Sequence, residues 1–338
     1  MRLLRAGNSE KGLKRWFSRP ISLPKSPEYN AIYSAESLEQ MSEDEIQDEL
    51  LCLRAEIKRL RKSLTELTPP LPVVLRRRGF RIFKKEPWDD LLVPEERFIN
   101  EYYRLLQKYS FRLFLRDVIQ HQHLFTIRDV TRYSTQEVTE EYASFLLKFR
   151  LIEREEGADS YRLKKGPIKS FGPTLEWFLS EIFKREFAAE AVWGAKFKRP
   201  VVGGDYDVIA KVDSSLLSME VKSSPPKQIY AKEISAFFDR LFDLLPDIGI
   251  FFMDTELRMK DKIVPMFEDE IKRRSSHELS SFLAIQVSPQ EPPPVVRMEK
   301  ELFQIQNKIF IINAKDSIVN NVEKVLRRFF RRSQRPAK

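Results

Sequence analysis

Apolar positions along the chain fall into three patterns, each in a different stretch. The first is a heptad. Ile46, Leu50, Leu53, Ile57, Leu60, Leu64 and Leu67 are spaced alternately four and three residues apart, the repeat that buries one helix seam against another. Ser42 followed by Glu45 is a capping-box signature, and Thr68-Pro69-Pro70 supplies the stop. The spacing predicts a coiled-coil helix over 38–68. Its partner is either a second copy, most simply in a homodimer through residues 46–67, or the protein's own core. Ahead of it, residues 1–37 mix Pro, Ser, Lys and Arg without period, the composition of a disordered basic arm.

The second pattern is a set of helical stripes between 96 and 166. Phe111, Phe114, Leu115 and Val118 share one face, 125–130 reads as a short second helix, and Val138, Tyr142, Phe145, Leu146 and Phe149 mark a third. A hairpin follows, from 151–154 through the Gly157-Ala158-Asp159-Ser160 turn to 161–163. This order resembles a winged helix-turn-helix domain. Its third helix exposes Glu137, Glu140 and Glu141, which phosphates would repel. A protein-protein or structural role is therefore as open as DNA contact.

In the third pattern, from 167 to 338, strands alternate with helices. A helix over 174–189 leads to strands at 192–197, 205–210 and 216–222. A helix carrying Ile229, Ile234, Phe237, Phe238, Leu241 and Leu244 precedes the apolar run Ile248–Met253, which suits a strand covered on both faces. Beyond it a helix over 260–274, a strand over 282–287, a strand over 308–314 and a helix with Ile318, Val322, Val325, Leu326 and Phe329 on one face are expected. The predicted class is α/β (α+β): a mixed central sheet flanked by helices, preceded by a winged-helix-like domain and a coiled-coil helix.

Charge sharpens this picture. The 338 residues carry a formal charge of +9, which suits a polyanionic partner such as nucleic acid. Cations cluster at Arg76, Arg77 and Arg78, in what reads as a basic linker over 69–95. They cluster again in the final helix and tail, at Arg327, Arg328 and Arg331. Both are candidate contacts to phosphate backbone. With Cys52 as the sole cysteine and three histidines, His121, His123 and His277, a cysteine-rich zinc site is excluded. No apolar run reaches the length of a membrane span, and a reducing, cytoplasmic setting is expected.

The candidate chemistry lies in GGDYDVIA at 203–210 and MEVKSS at 219–224. Side chains alternate along a strand, so Glu220 and Lys222 share a face, as do Asp205 and Asp207. If a short turn at 213–215 pairs the two strands, two carboxylates converge beside one ammonium. Such a cluster is costly unless a cation sits among the carboxylates, and oxygen ligands of this kind suit Mg²⁺ or Mn²⁺. Asp207 is preferred over Asp205 for the apolar residues that follow it.

An aspartate in one strand followed by Glu-x-Lys in the next, in the order helix, three strands, helix, strand, resembles the restriction-endonuclease-like PD-(D/E)XK nucleases. The resemblance covers about 85 residues. It implies a metal-dependent DNA endonuclease with Asp207, Glu220 and Lys222 as catalytic residues, Lys222 positioning or helping to deprotonate the attacking water. It also implies a helical glutamate completing the metal site with Asp207 and Glu220: Glu176, or failing that Glu181. The Gln-Tyr helix motif of exonuclease-type relatives is not evident after Lys222. The alternatives are a catalytically inactive nucleic-acid-binding or regulatory protein on the same fold, and a coiled-coil assembly protein.

Overall fold

The computed structural model describes residues 47, 50–57, 59–60, 69–155, 157, 159–198 and 202–333. The chain divides into two units, 1–67 and 68–338. In the first, residues 50–57 are helical, and Leu50, Leu53, Ile57 and Leu60 are all exposed. The arm, the expected cap at 42–45, and Ile46, Leu64 and Leu67 lie outside the described residues.

The second unit is a mixed α/β structure built on an eight-stranded sheet flanked by helices. In chain order its strands are β1 (Ile82–Lys84), β4 (Glu190–Phe197), β5 (Tyr206–Val212), β6 (Ser215–Lys222), β7 (Ile248–Met253), β8 (Val296–Glu299), β9 (Leu302–Ile305) and β10 (Ile309–Asn313). Across the sheet they run β1-β4-β5-β6-β7-β10-β9-β8. Strands β4 to β6 pair antiparallel, β6, β7 and β10 pair parallel, and β10, β9 and β8 return to antiparallel. Every residue of β7 is buried, as its unbroken apolar run requires of a strand covered on both faces.

Alternation along the strands sorts the core into two layers. Val208, Ala210, Leu217, Met219 and Val221 pack with helix α5 (Gly172–Glu186), through Leu175, Phe178, Leu179 and Ile182. The same layer takes in helix α9 (Ile318–Ser333), through Val322 and Val325. On the opposite face, Phe251, Met253 and Ile311 meet helix α6 (Ala231–Leu244) and helix α7 (Ile263–Arg273), through Phe237, Phe238, Leu241 and Phe267.

Residues 96–163 form helices α2 (Ile99–Leu106), α3 (Tyr109–Gln120) and α4 (Gln136–Lys148), a 3-10 turn (Ile127–Val130) and the β2–β3 hairpin (Ile152–Arg154, Tyr161–Leu163). The α4 residues Glu137, Glu140 and Glu141 face solvent. A buried cluster ties this part to the sheet. Asp254, just after β7, is fully buried and pairs with Arg112 of α3 at 2.9 Å and with Arg116. Its backbone N–H donates to the Lys222 carbonyl at 2.8 Å, so the clamp is bonded to the strand that carries the candidate lysine.

Several stretches differ from the sequence reading: helix α2 and strands β8 and β9 were not expected, and the short helix expected at 125–130 is the 3-10 turn Ile127–Val130. The expected linker at 69–95 holds helix α1 (Leu71–Arg77) and edge strand β1, which pairs with β4. Leu71, Leu75 and Phe80 are buried against β4 and β5, and this apolar content explains the order. The strand expected at 282–287 is also replaced: helix α8 (Ser276–Leu283) occupies its start. Ser275 caps that helix by accepting from the Glu278 N–H at 3.2 Å, and buried Leu279, Phe282 and Leu283 have helical spacing. A short apolar run does not by itself separate the two structures.

Candidate active site

Strands β5 and β6 meet through a two-residue turn, Asp213-Ser214, with Asp213 at φ 53°. Val208 pairs with Met219 across this hairpin and with Trp193 on the other side. Continuing both registers by one residue sets Asp207 between Gly194 of β4 and Glu220 of β6. Glu220 in turn pairs with Phe251 of β7. Lys222 follows two residues along β6, on the face shared with Glu220. The hairpin thus places Asp207, Glu220 and Lys222 together.

Glu176 arrives from α5, whose neighbouring Leu175, Trp177, Phe178 and Leu179 are buried. Its Oε2 lies 3.8 Å from where a Cβ on Gly194 would sit. Gly194 has φ 55°, and that Cβ would meet the Pro87 ring at 2.6 Å. A glycine here lets the chain at 86–87 cross the strand and leaves the Glu176 carboxyl beside the row.

Hydrogen bonds divide the carboxylates into two kinds. Glu220 is 4% exposed and held by cations on both oxygens. Lys222 Nζ donates to Oε1 at 2.8 Å, Arg240 Nη2 to Oε1 at 2.6 Å and Arg240 Nε to Oε2 at 3.1 Å. Asp207 accepts one bond, from the Val221 backbone N–H to Oδ2 at 2.7 Å. Glu233, which caps α6 by accepting from the Tyr230 N–H, also faces Lys222 at 3.8 Å.

These surroundings move the proton affinities. Burial raises the Glu176 carboxyl to about 9, helped by the charges on Asp207, Asp205 and Glu220. Burial also raises Asp207 to about 7, with Glu220 adding to it and the Val221 N–H, Lys222 and Arg240 pulling back. Burial acts to lower Lys222, but the charge and hydrogen bond of Glu220 and the charge of Asp207 outweigh it, and the net shift is upward. Lys222 therefore holds its proton at neutral pH, which suits a charge donor better than a base.

Of the other candidate residues only Asp205, whose charge reaches Glu176, stands near the row. Asp205 precedes β5 and pairs with Lys196 at 2.9 Å. Glu181 is engaged by Lys184 and Arg185. Arg76, Arg77 and Arg78 sit at the end of α1; Arg78 donates to the Leu245 carbonyl and reaches Asp247 at 3.4 Å. Asp247 also accepts from the Leu216 N–H, so Arg78 marks the end of β6 remote from Lys222, about 20 Å away at strand rise. Arg327, Arg328 and Arg331 lie on α9. All three histidines are exposed.

Sequence reasoning missed Arg240 and Gly194. Arg240 lies just off the apolar stripe of α6, where a cation reads as solvated surface. Its Nη1 lies 3.5 Å from where a Cβ on Gly204 would sit, so the Gly203-Gly204 segment, with Gly204 at φ 102°, passes over it. The usable signal was a lone glycine inside the alternating strand 190–197.

The donors are carboxylate oxygens, of the kind a hard divalent cation takes. As placed, however, no group of three or more His, Cys, Asp or Glu side chains among the described residues could hold a metal ion. Glu220 is committed to Lys222 and Arg240. No described helix is long and apolar enough to cross a membrane.

No protein-family model matches this chain, and no curated protein matches it. Among solved structures it is similar to Can2 from Sulfobacillus thermosulfidooxidans, solved in complex with cyclic tetra-adenylate. Identity is 16% over 54% of this chain and 50% of that one, with a TM-score of 0.34. It is also similar to protein VC1899 from Vibrio cholerae, at 15% identity over 60% of this chain and 51% of that one, with a TM-score of 0.31. The chain spans about half the length of the solved structures it matches. At these scores the likenesses carry no argument about function.

Proposed function

We propose that this chain is a metal-dependent nuclease on a restriction-endonuclease-like core, hydrolysing a phosphodiester bond of DNA at Asp207, Glu220, Lys222 and Glu176. The supporting observation is the row itself. Burial raises the proton affinity of two carboxyls, Asp207 and Glu176, the charge on Asp207 raises Glu176 further, and a third carboxyl, Glu220, is bonded by two cations. Such a cluster is relieved by a counter-ion.

Mg²⁺ or Mn²⁺, held by Asp207, Glu220 and Glu176, would neutralise phosphate charge and acidify a water molecule. For Glu220 to join, it must exchange its two bonds from Arg240. The guanidinium so freed remains beside the row, with the fork geometry that matches two phosphate oxygens. Lys222, protonated and anchored by Glu220, supplies positive charge to the phosphorane as its oxygens gain charge. The Val221 N–H engages Oδ2 of Asp207, so Oδ1 would be the oxygen offered to the ion.

A second reading is a protein that binds nucleic acid without cutting it. Glu220's engagement by Arg240 favours it. The two separate in one experiment. Purified protein is incubated with Mg²⁺ or Mn²⁺ and linear, nicked, single-stranded and branched substrates. Hydrolysis predicts metal-dependent cleavage that disappears in Lys222→Ala while the circular dichroism spectrum is kept. Binding without cleavage under every condition supports the second reading.

A further inference from the structure

A cleft of about 1290 Å³ opens between α9 and the β8–β9 hairpin. Its lining carries Arg297, Lys324, Arg327, Arg328 and Arg331 against one carboxylate, Glu299. We propose that this cleft is a second, non-catalytic site, which binds the phosphodiester backbone of a nucleic-acid strand.

The α9 cations stand at positions i, i+3, i+4 and i+7, a single helix face. They extend over about 10 Å at 1.5 Å per residue, room for roughly three phosphates at 3.4 Å per strand charge. Two of them are partly neutralised: Lys324 pairs with Glu299 at 2.8 Å, and Arg327 pairs with Glu323. Arg328 is held differently. Its Nε donates to Gln304 Oε1 and Asn307 Oδ1, both at 3.2 Å, and both amides are buried. Neutral acceptors orient a guanidinium without cancelling its charge, leaving its outer N–H groups for an anion. No carboxylate among the described residues pairs with Arg328 or Arg331.

A solvated basic face needs no buried amides aiming one of its cations into a cavity. The location is also separate from the candidate active site. Two strands, β7 and β10, lie between β6 and β9. Asn307 sits in the turn that starts β10, whereas Lys222 lies level with the end of β7, which runs parallel to β10. The proposal therefore does not depend on whether Asp207 and Glu220 support hydrolysis.

The test measures fluorescence anisotropy of labelled 20-mer single-stranded and duplex oligonucleotides with the full chain. EDTA is present so that nothing is cut, and salt is raised in steps. Arg328→Glu/Arg331→Glu is compared with wild type and with Lys272→Glu, a charge reversal on α7. Arg331→Glu alone guards against a folding defect, because Arg331 is exposed. The double variant is expected to lose tenfold or more in affinity, and its log K against log salt slope to fall by roughly one to two, at 0.7–0.9 per lost phosphate contact. Lys272→Glu is expected to keep both. Unchanged affinity and slope in a folded double variant would overturn the proposal. So would inorganic phosphate competing at the same concentration as oligonucleotide phosphate, or a charge-reversal effect seen only on anionic lipid vesicles.

Discussion

Replacing Asp207 by Asn removes a charge from the crowded row while keeping an oxygen to accept the Val221 N–H. In the wild-type protein this carboxyl rises from its ordinary 3.8 to about 7. A folded-state value above the unfolded one means that the unfolded chain releases its proton first as pH rises. Wild-type stability therefore falls between about pH 4 and pH 7 and stays reduced above that. At 1.36 kcal/mol per unit, the ceiling on this loss is about 4 kcal/mol. Asp207 is partly accessible, and solvent relaxation brings the expected figure to roughly 1–3 kcal/mol. Urea unfolding of wild type and Asp207→Asn, in EDTA at pH 4 and pH 8.5, reads this directly. The variant should gain that amount relative to wild type between the two pH values, and replacing the EDTA by Mn²⁺ should stabilise only the wild type. A difference between the proteins that is the same at both pH values would refute the reasoning, since neither burial nor the charge of Glu220 would then raise this carboxyl in the folded state.

Other expectations follow from single contacts. Asp254→Ala leaves the buried Arg112 guanidinium without its counter-charge. This should cost about 3–5 kcal/mol in urea unfolding; a loss under 1 kcal/mol would show that the clamp is not structural. Leu53→Asp/Ile57→Asp places charges on the exposed heptad seam. If residues 46–67 pair with a second copy, light scattering should report a dimer for wild type and a monomer for this variant, while a monomeric wild type would end that proposal.

The parts of this fold legible in sequence are those where one period dominates. Strands β5 and β6 are short apolar runs around a turn, so the period of a strand assigns Glu220 and Lys222 to one face; the turn expected at 213–215 is one residue shorter, Asp213-Ser214, with Ser215 already in β6. Helices α5, α6 and α9 announce themselves by apolar stripes. At 96–163 the stripes of α3 and α4 and the hairpin were readable in the same way, whereas the short helix expected at 125–130 is a 3-10 turn and helix α2 was not anticipated. Short elements hid. Helix α1 and strand β1 are seven and three residues long, too short for either apolar period to repeat in that basic run. Strands β8 and β9 follow a Pro-rich connection and are four residues each. At 282–287 an apolar hexamer suggested a strand, because the Ser275 cap and the spacing of Leu279, Phe282 and Leu283 begin upstream of it. Arg240 was invisible for another reason. Its contact with Glu220 spans 20 residues and depends on the α6 helix crossing the sheet, information that no local pattern holds.

Divalent-cation binding at the row tests the central claim most directly, and Mn²⁺ can be counted by its free-ion electron paramagnetic resonance signal. Titrating wild type, Asp207→Asn and Arg240→Gln should give one site in wild type, no such site in Asp207→Asn, and tighter binding in Arg240→Gln, where Glu220 has lost one of its two competing cations. Equal uptake by wild type and Asp207→Asn, or no uptake by any of the three at millimolar Mn²⁺, would contradict the account.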